Sequence, residues 1–356
     1  MLYNQKDNKE LLPWIEKYRP TSIKNIIYHE KITKTIVNYF EVNKLPHLLF
    51  YGSSGTGKTS SILAISKHYY NEDFENMVLI LNASEERGIE TVRNRIKQFV
   101  TTSGLPENKN TPPFKLIILD EIDAMTEDAQ AILRKVIEKY VNNVRFCFIC
   151  NYLKKINPAI QSRCIIFRFK PIPEHVMLNF TQVICKKKKI IINDNALKLI
   201  IKRTNGDMRK LLNILQSIYM YMHSLNFENK KLNNNMIESD LLNITINENH
   251  VSKILSCPTE INIIKMLKFI QKNKLDAAYD YILDMMNVNG ISLRELIDCF
   301  YEYFMDSIIN NNKTIIKYDN IKQVEIIKNM SLINENLSYC NNDNNQIISF
   351  ISLFYL

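Results

Sequence analysis

Leu48-Leu-Phe-Tyr-Gly-Ser-Ser-Gly-Thr-Gly-Lys-Thr59 decides the fold of this 356-residue chain. Four apolar residues run into Gly52, Ser53, Ser54, Gly55, Thr56, Gly57, Lys58 and Thr59, a full match to G-x-x-x-x-G-K-[ST], and a helical pattern over residues 58–70 follows. A buried strand, a glycine-rich loop and a helix start in that order make a phosphate cradle. The glycines let successive N–H groups turn into one cavity, and the helix N-terminus adds its dipole. The spacing predicts that Lys58 reaches the β- and γ-phosphates of a bound nucleotide and that the Thr59 hydroxyl ligates Mg2+.

Outward from that loop, short continuous apolar runs alternate with helical patterns. Strands are expected at 48–51, 77–81, 115–119 and 144–150, and helices at 58–70, 89–100 and 126–140. Runs apolar throughout suit strands buried on both faces of a parallel sheet, so the first ~170 residues read as a doubly wound α/β domain. Lys170-Pro-Ile-Pro173 then breaks the pattern, because proline lacks an N–H and restricts its predecessor. Domains are therefore expected at 1–171, 172–242 and 243–356, the second and third helical, with apolar stripes at Ala196, Leu197, Leu199, Ile200 and Ile201 and at Leu211, Leu212, Ile214 and Leu215.

Composition narrows the function classes. Seven glycines exclude collagen-like repeats, Gly-rich linkers and glycine-turn-dense β architectures, and three of the seven fall in the phosphate loop. The net charge of +9 favours a polyanionic partner such as nucleic acid, although a solvated basic surface gives the same figure. Seven scattered cysteines without a framework spacing point to a reducing compartment. Cys147-Phe-Ile-Cys150 lies in a strand-like run without a second pair, so two core thiols are expected rather than a metal or redox site. The polar N-terminus and the lack of an ~18-residue apolar run predict a soluble intracellular protein with no membrane contact.

The run Lys115-Leu-Ile-Ile-Leu119 ends in Asp120-Glu121. At the carboxyl edge of a parallel sheet this sets Asp120 to hold Mg2+ and Glu121 to polarise an attacking water. Asp123 is expected to face solvent or to cap the helix beginning near Thr126. The next strand ends at Asn151, whose amide can bond the γ-phosphate or the water; without the other motifs it would read as an Asx-turn. Arg163 and Arg209 are each ordinary surface or capping residues taken alone, but arginine is also the side chain that stabilises charge on a transferring phosphoryl group.

The ordered series Lys17-Tyr-Arg-Pro20, Leu45-Pro-His-Leu-Leu-Phe-Tyr-Gly52, the phosphate loop, Leu81-Asn-Ala-Ser84, Arg87-Gly-Ile89, Leu119-Asp-Glu-Ile-Asp-Ala-Met125, Asn151-Tyr152, Ser162-Arg-Cys164 and Gly206-Asp-Met-Arg209 resembles the small subunits of replication factor C, the AAA+ clamp loader. Phe146-Cys-Phe-Ile-Cys-Asn-Tyr152 is most similar to the subunit numbered three or five, depending on naming scheme. The resemblance implies an AAA+ P-loop NTPase core, a helical lid and an all-helical C-terminal collar that holds a heteropentamer together. It implies that Gly52 to Thr59 is Walker A, Asp120 and Glu121 Walker B, Asn151 sensor 1 and Arg209 sensor 2, with Tyr18, Arg19 and Pro20 beside the adenine and ribose. Arg163 would act in trans on a neighbour's ATP. Ser53-Ser54 stands where the family more usually has Pro-Pro, which is expected to loosen the loop slightly.

The resemblance further implies other replication factor C subunits, the sliding clamp (PCNA) and primer-template DNA as partners, ATP and Mg2+ as cofactors, and the nucleus as location. Phosphate contacts to DNA are expected from Arg87, Arg93 and Lys97. Val92, Ile96, Phe99 and Val100 form a stripe that either packs on the sheet or reaches the clamp. Lys186-Lys-Lys-Lys189 reads as a solvated helix face. The leading expectation is an ATPase subunit that loads the clamp. The alternative is a nucleotide-gated structural subunit of such a ring with negligible hydrolysis, and a small-molecule P-loop kinase is disfavoured because it has no use for residues 250–356.

Overall fold

The computed structural model describes residues 12–84, 89–101, 111–232, 245–272, 274–309, 319–339 and 343–355. The chain divides into two compact units, Met1–Lys188 with Ile200–Gln216, and Lys189–Leu199 with Ser217–Leu356.

The first unit is built on five strands, β1 (Leu48–Tyr51), β2 (Val78–Asn82), β3 (Lys115–Asp120), β4 (Val144–Cys150) and β5 (Ile165–Arg168), in the order β2-β3-β4-β1-β5 and all parallel. The central strands are mainly apolar because both faces are covered; Lys115, Asp120 and Arg145 are the charged residues within them. Leu48 and Phe50 of β1, Leu116 and Ile118 of β3, and Cys147 and Ile149 of β4 enter one core with Ile36, Phe40, Ile62 and Ile65. These come from helices α1 (Glu30–Glu41) and α2 (Lys58–Tyr70). Leu49, Ile117, Leu119, Phe146 and Phe148 enter the other core with Ile96, Leu133, Ile137 and Ile160. Those belong to α3 (Ile89–Thr101), α4 (Glu127–Tyr140) and α5 (Pro158–Gln161).

The expected strands are present; β2 begins one residue later and β3 runs one further, to Asp120. Strand β5 and helix α1 were not anticipated. β5 is a four-residue edge strand bonded only to β1; Ile165, Ile166 and Phe167 are apolar, but Ile165 and Ile166 are exposed, so the run is too short and too little covered to stand out. Cys147 and Cys150 face opposite cores, as an i, i+3 pair on a strand must, which rules out a shared metal or disulfide between them. Burial pushes the Cys150 thiol up to about 12.

Three further helices follow, α6 (Glu174–Lys188), α7 (Asp194–Thr204) and α8 (Met208–Leu232). The stripes at Ala196, Leu197, Ile200 and Ile201 and at Leu211, Leu212 and Leu215 are buried as expected, while Lys186, Lys187 and Lys189 are exposed. A small parallel pair, β6 (Ile191–Ile192) with β7 (Thr245–Ile246), was not anticipated. In the second unit α9 (Glu248–Leu255), α10 (Glu260–Gln271), α11 (Leu275–Asn289), α12 (Leu293–Ile309), α13 (Asn320–Asn336) and α14 (Asp343–Ser352) continue the chain. Residues of α10 to α14 share one core, in which the rings of Phe300, Phe304, Phe350 and Phe354 meet. Among the described residues no helix is long and apolar enough to cross a membrane.

Candidate nucleotide site

The carboxyl ends of β1, β3 and β4 bring Tyr51, Asp120 and Cys150 to one edge of the sheet, and the loops that follow them build one cleft. It offers about 1080 Å³ of empty space counting its open mouth. Residues 54–61 line one side, with Asp120, Glu121, Asn151 and Arg209 around them. Tyr18, Arg19, Pro20, Ile26, Tyr28, Ile172 and Phe180 also line it. Tyr18 is set there by edge contacts with Trp14 and Phe180, and Arg19 by an ion pair with Glu16 at 3.1 Å.

The phosphate loop leaves β1 at Gly52, whose φ of +149° and close approach to Phe169 admit only glycine; a Cβ there would overlap the Phe169 carbonyl oxygen. Lys58 then folds back through the loop. Its Nζ donates to the Gly52 and Ser53 carbonyls at 2.8 Å each and to Asn151 Oδ1 at 3.0 Å. Burial lowers the pKa of this ammonium from the usual lysine value, with Asp120 opposing the shift and Arg209 adding to it. Two hydroxyls of the loop are bonded. Ser54 Oγ donates to Asp207 Oδ2 at 2.8 Å, and Thr56 Oγ1 to the Ser53 carbonyl at 2.9 Å.

Thr59 Oγ1 donates to Asp120 Oδ2 at 2.7 Å. This hydroxyl and carboxylate are hard oxygen donors side by side at the phosphate loop; among the described residues no group of three or more His, Cys, Asp or Glu side chains is placed to hold a metal ion, here or elsewhere. Such a sparse set fits Mg2+, which keeps several waters and takes one or two protein oxygens plus substrate phosphates. Asp120 Oδ1 also accepts the Glu121 backbone N–H at 2.9 Å. Glu121 itself is exposed and holds a left-handed backbone, φ +56°, an unfavourable conformation for a residue with a Cβ.

Asp123 neither faces solvent freely nor caps a helix. Its Oδ2 accepts the backbone N–H groups of Asn151 and Tyr152 at 3.2 Å each, and Thr126 caps α4 by accepting from Ala129 N. Buried Gln130 supports the same corner from α4, donating to the Met125 and Lys155 carbonyls and accepting from Asn157 N. Sequence reasoning passed over Gln130 and Asp207. Asp207 had a local signal, as an aspartate directly before a helical pattern.

Arg163 does not line this cleft. Its guanidinium donates to Glu138 Oε1 at 2.6 Å and to the Ala159 carbonyl at 2.7 Å, and Glu138 also pairs with Arg134 at 3.0 Å. Arg93 and Lys97 are exposed on α3, and Arg87 lies outside the described residues. Of the apolar stripe on α3, Ile96 is fully buried and Phe99 and Val100 pack beside it on the sheet.

Residues 48–172 match the family model described as ATPase family associated with various cellular activities (AAA). The chain is 38% identical to the probable replication factor C subunit 5 of Dictyostelium discoideum, over 98% of this chain and 91% of that protein. It is 37% identical to replication factor C subunit 3 of Saccharomyces cerevisiae over 87% of this chain and 85% of that one. Against replication factor C subunit 5 of Homo sapiens the identity is 35%, over 96% and 91%. Among solved structures, a variant of Thermotoga maritima RuvB superposes with a TM-score of 0.50 at 16% identity, over 81% of this chain and 91% of that chain, a likeness of fold.

Proposed function

Because the chain belongs to the replication factor C subunit 3/5 family of AAA ATPases, we propose that it is an ATP-hydrolysing subunit of a clamp loader. It acts with the other replication factor C subunits to open the sliding clamp (PCNA), hold it at a primer-template junction in the nucleus, and release it closed on the DNA. The observation that carries this reading is the single connected cluster in which Lys58 bonds Asn151 and Thr59 bonds Asp120, in a cleft also lined by Glu121 and Arg209.

In that cleft the loop N–H groups and the start of α2 hold the triphosphate, and Lys58 carries its ammonium to the β- and γ-phosphates. Thr59 and Asp120 would hold Mg2+, which when bound neutralises charge on the phosphate oxygens. Glu121 accepts the proton of the attacking water, an O–P bond forms at the γ-phosphate, the bond to the bridging oxygen breaks, and ADP and phosphate result. Asn151 orients the water and Arg209 senses the γ-phosphate. Arg163 completes a neighbour's site, as this site awaits a neighbour's arginine. Exposed Arg93 and Lys97, with Arg87, touch DNA phosphates, so DNA stimulates turnover. Residues 172–242 serve as lid and 243–356 as collar.

The test is Glu121→Gln in the reconstituted complex with clamp and primer-template DNA. ATP binding by this subunit is kept while its turnover is lost and clamp release slows; undiminished turnover and release would overturn the hydrolytic role.

A further inference from the structure

Asp207 is 8% exposed, and its two carboxylate oxygens serve different elements. Oδ1 accepts the backbone N–H groups of Arg209 at 2.8 Å and Lys210 at 3.1 Å, which caps the start of α8. Oδ2 accepts the Ser54 hydroxyl at 2.8 Å. A second link runs beside the first, from Met208 N to the Gly55 carbonyl at 3.1 Å. The fit is close: Gly55 has φ +63°, and a Cβ there would overlap the Asp207 carboxylate. Arg209 is two residues beyond Asp207, on the turn that this carboxylate caps.

We propose that Ser54 and Asp207 form a latch that fixes the register of Arg209 against the phosphate loop, and that this latch sets how strongly the site prefers ATP to ADP. The proposal rests on Arg209 being the γ-phosphate sensor. A phosphate cradle of this kind binds through backbone N–H groups, so the Ser54 hydroxyl is not needed to hold the α- and β-phosphates. It is needed to keep the second Asp207 oxygen bonded. Because one carboxylate grips both the loop and the first turn of α8, a shift of either moves the other, and a guanidinium displaced by about 1 Å loses its alignment with a phosphoryl oxygen. ADP lacks the only group that feels the displacement. Ser54 and Asp207 are therefore positioning residues acting through Arg209.

The test is equilibrium titration of the full chain with ATPγS and with ADP. Ser54→Ala is expected to shrink the ratio of ADP to ATPγS dissociation constants about fivefold to tenfold, the scale of one ordinary intramolecular hydrogen bond. Ser54→Thr, which retains the hydroxyl, is expected to restore it. In the double variant Ser54→Ala/Arg209→Ala the ratio should be no smaller than in Arg209→Ala alone, since the serine acts through the arginine. An unchanged ratio in Ser54→Ala, with both affinities falling together, would mean the serine only stiffens the loop and would overturn the latch. Arg209→Ala separates the two layers. If it abolishes the preference while Ser54→Ala leaves it intact, the latch alone is refuted; if it leaves the preference intact, the sensor reading falls and the latch with it.

Discussion

His47, the residue before β1, ties the stability of the first unit to pH. Its Nδ1 accepts the Phe146 backbone N–H at 3.2 Å, so this nitrogen must be unprotonated in the fold. Burial holds the imidazole down to about 4, and the neighbouring Arg145 charge adds to the shift. The folded pKa lies below the ordinary 6.5, so the unfolded chain binds the proton more tightly. Stability from this group is complete above about pH 6.5 and is lost as pH falls toward 4. The gap corresponds to at most about 3 kcal/mol, and solvent screening of a half-buried ring roughly halves it, to about 1.5 kcal/mol. His47→Asn keeps an acceptor near the Nδ1 position without a titrating group. Urea unfolding of both proteins from pH 7.5 to 4.5 measures the effect. The fluorescence of Trp14, the chain's one tryptophan and buried in the same unit, reports on it directly. The wild type should lose about 1.5 kcal/mol relative to His47→Asn over that range, because carboxylates common to both proteins cancel in the difference. A difference that stays flat with pH, or that favours the wild type in acid, would refute the reasoning.

Gly52→Ala should cost about 3 kcal/mol or more and remove ATPγS binding, since the new methyl overlaps the Phe169 carbonyl on a backbone of φ +149°; a melt within experimental error of wild type would contradict it. Glu121→Gly should stabilise the chain by about 1 kcal/mol in urea unfolding while hydrolysis in the assembled complex disappears, because the left-handed backbone at φ +56° suits glycine and the reaction needs the carboxylate. Arg163→Ala should lower turnover of the assembled complex while the isolated chain keeps its ATPγS affinity; an affinity loss in the isolated chain would place this arginine on its own site.

β1, β3 and β4 were readable because each is a mainly apolar run that enters cores on both faces of the sheet, whereas β5, bonded on one side only, is three apolar residues and an arginine, too short for any period to distinguish it from loop. The phosphate loop was readable because its chemistry demands fixed residue types at fixed spacing. Asp123 was not, since its role depends on β4 returning Asn151 to it from 28 residues away. The bond between Ser54 and Asp207 spans 153 residues, and no local pattern carries that information. Arg163 was found by motif, but its grip on Glu138 follows from the packing of α5 against α4 and has no signature in the sequence.

Three of these positions share one device. Asp120 holds the backbone N–H of Glu121 at 2.9 Å, Asp123 that of Asn151 at 3.2 Å, and Asp207 that of Arg209 at 2.8 Å. In each case a carboxylate grips the main chain of the residue assigned to the γ-phosphate or the water rather than its side chain; the Asn151 amide is held separately, by Lys58. All three gripped residues are exposed, and the bonds to their main chains set their backbone positions whatever their side chains contact. A charge-assisted bond to a backbone N–H is stronger than a neutral one, and it constrains position without constraining rotamer. The backbone positions at the site are thereby set from within the chain. This also explains why two of the three gripping aspartates, Asp123 and Asp207, carry no motif role of their own: what they hold is position, which the sequence shows only through the residues that use it.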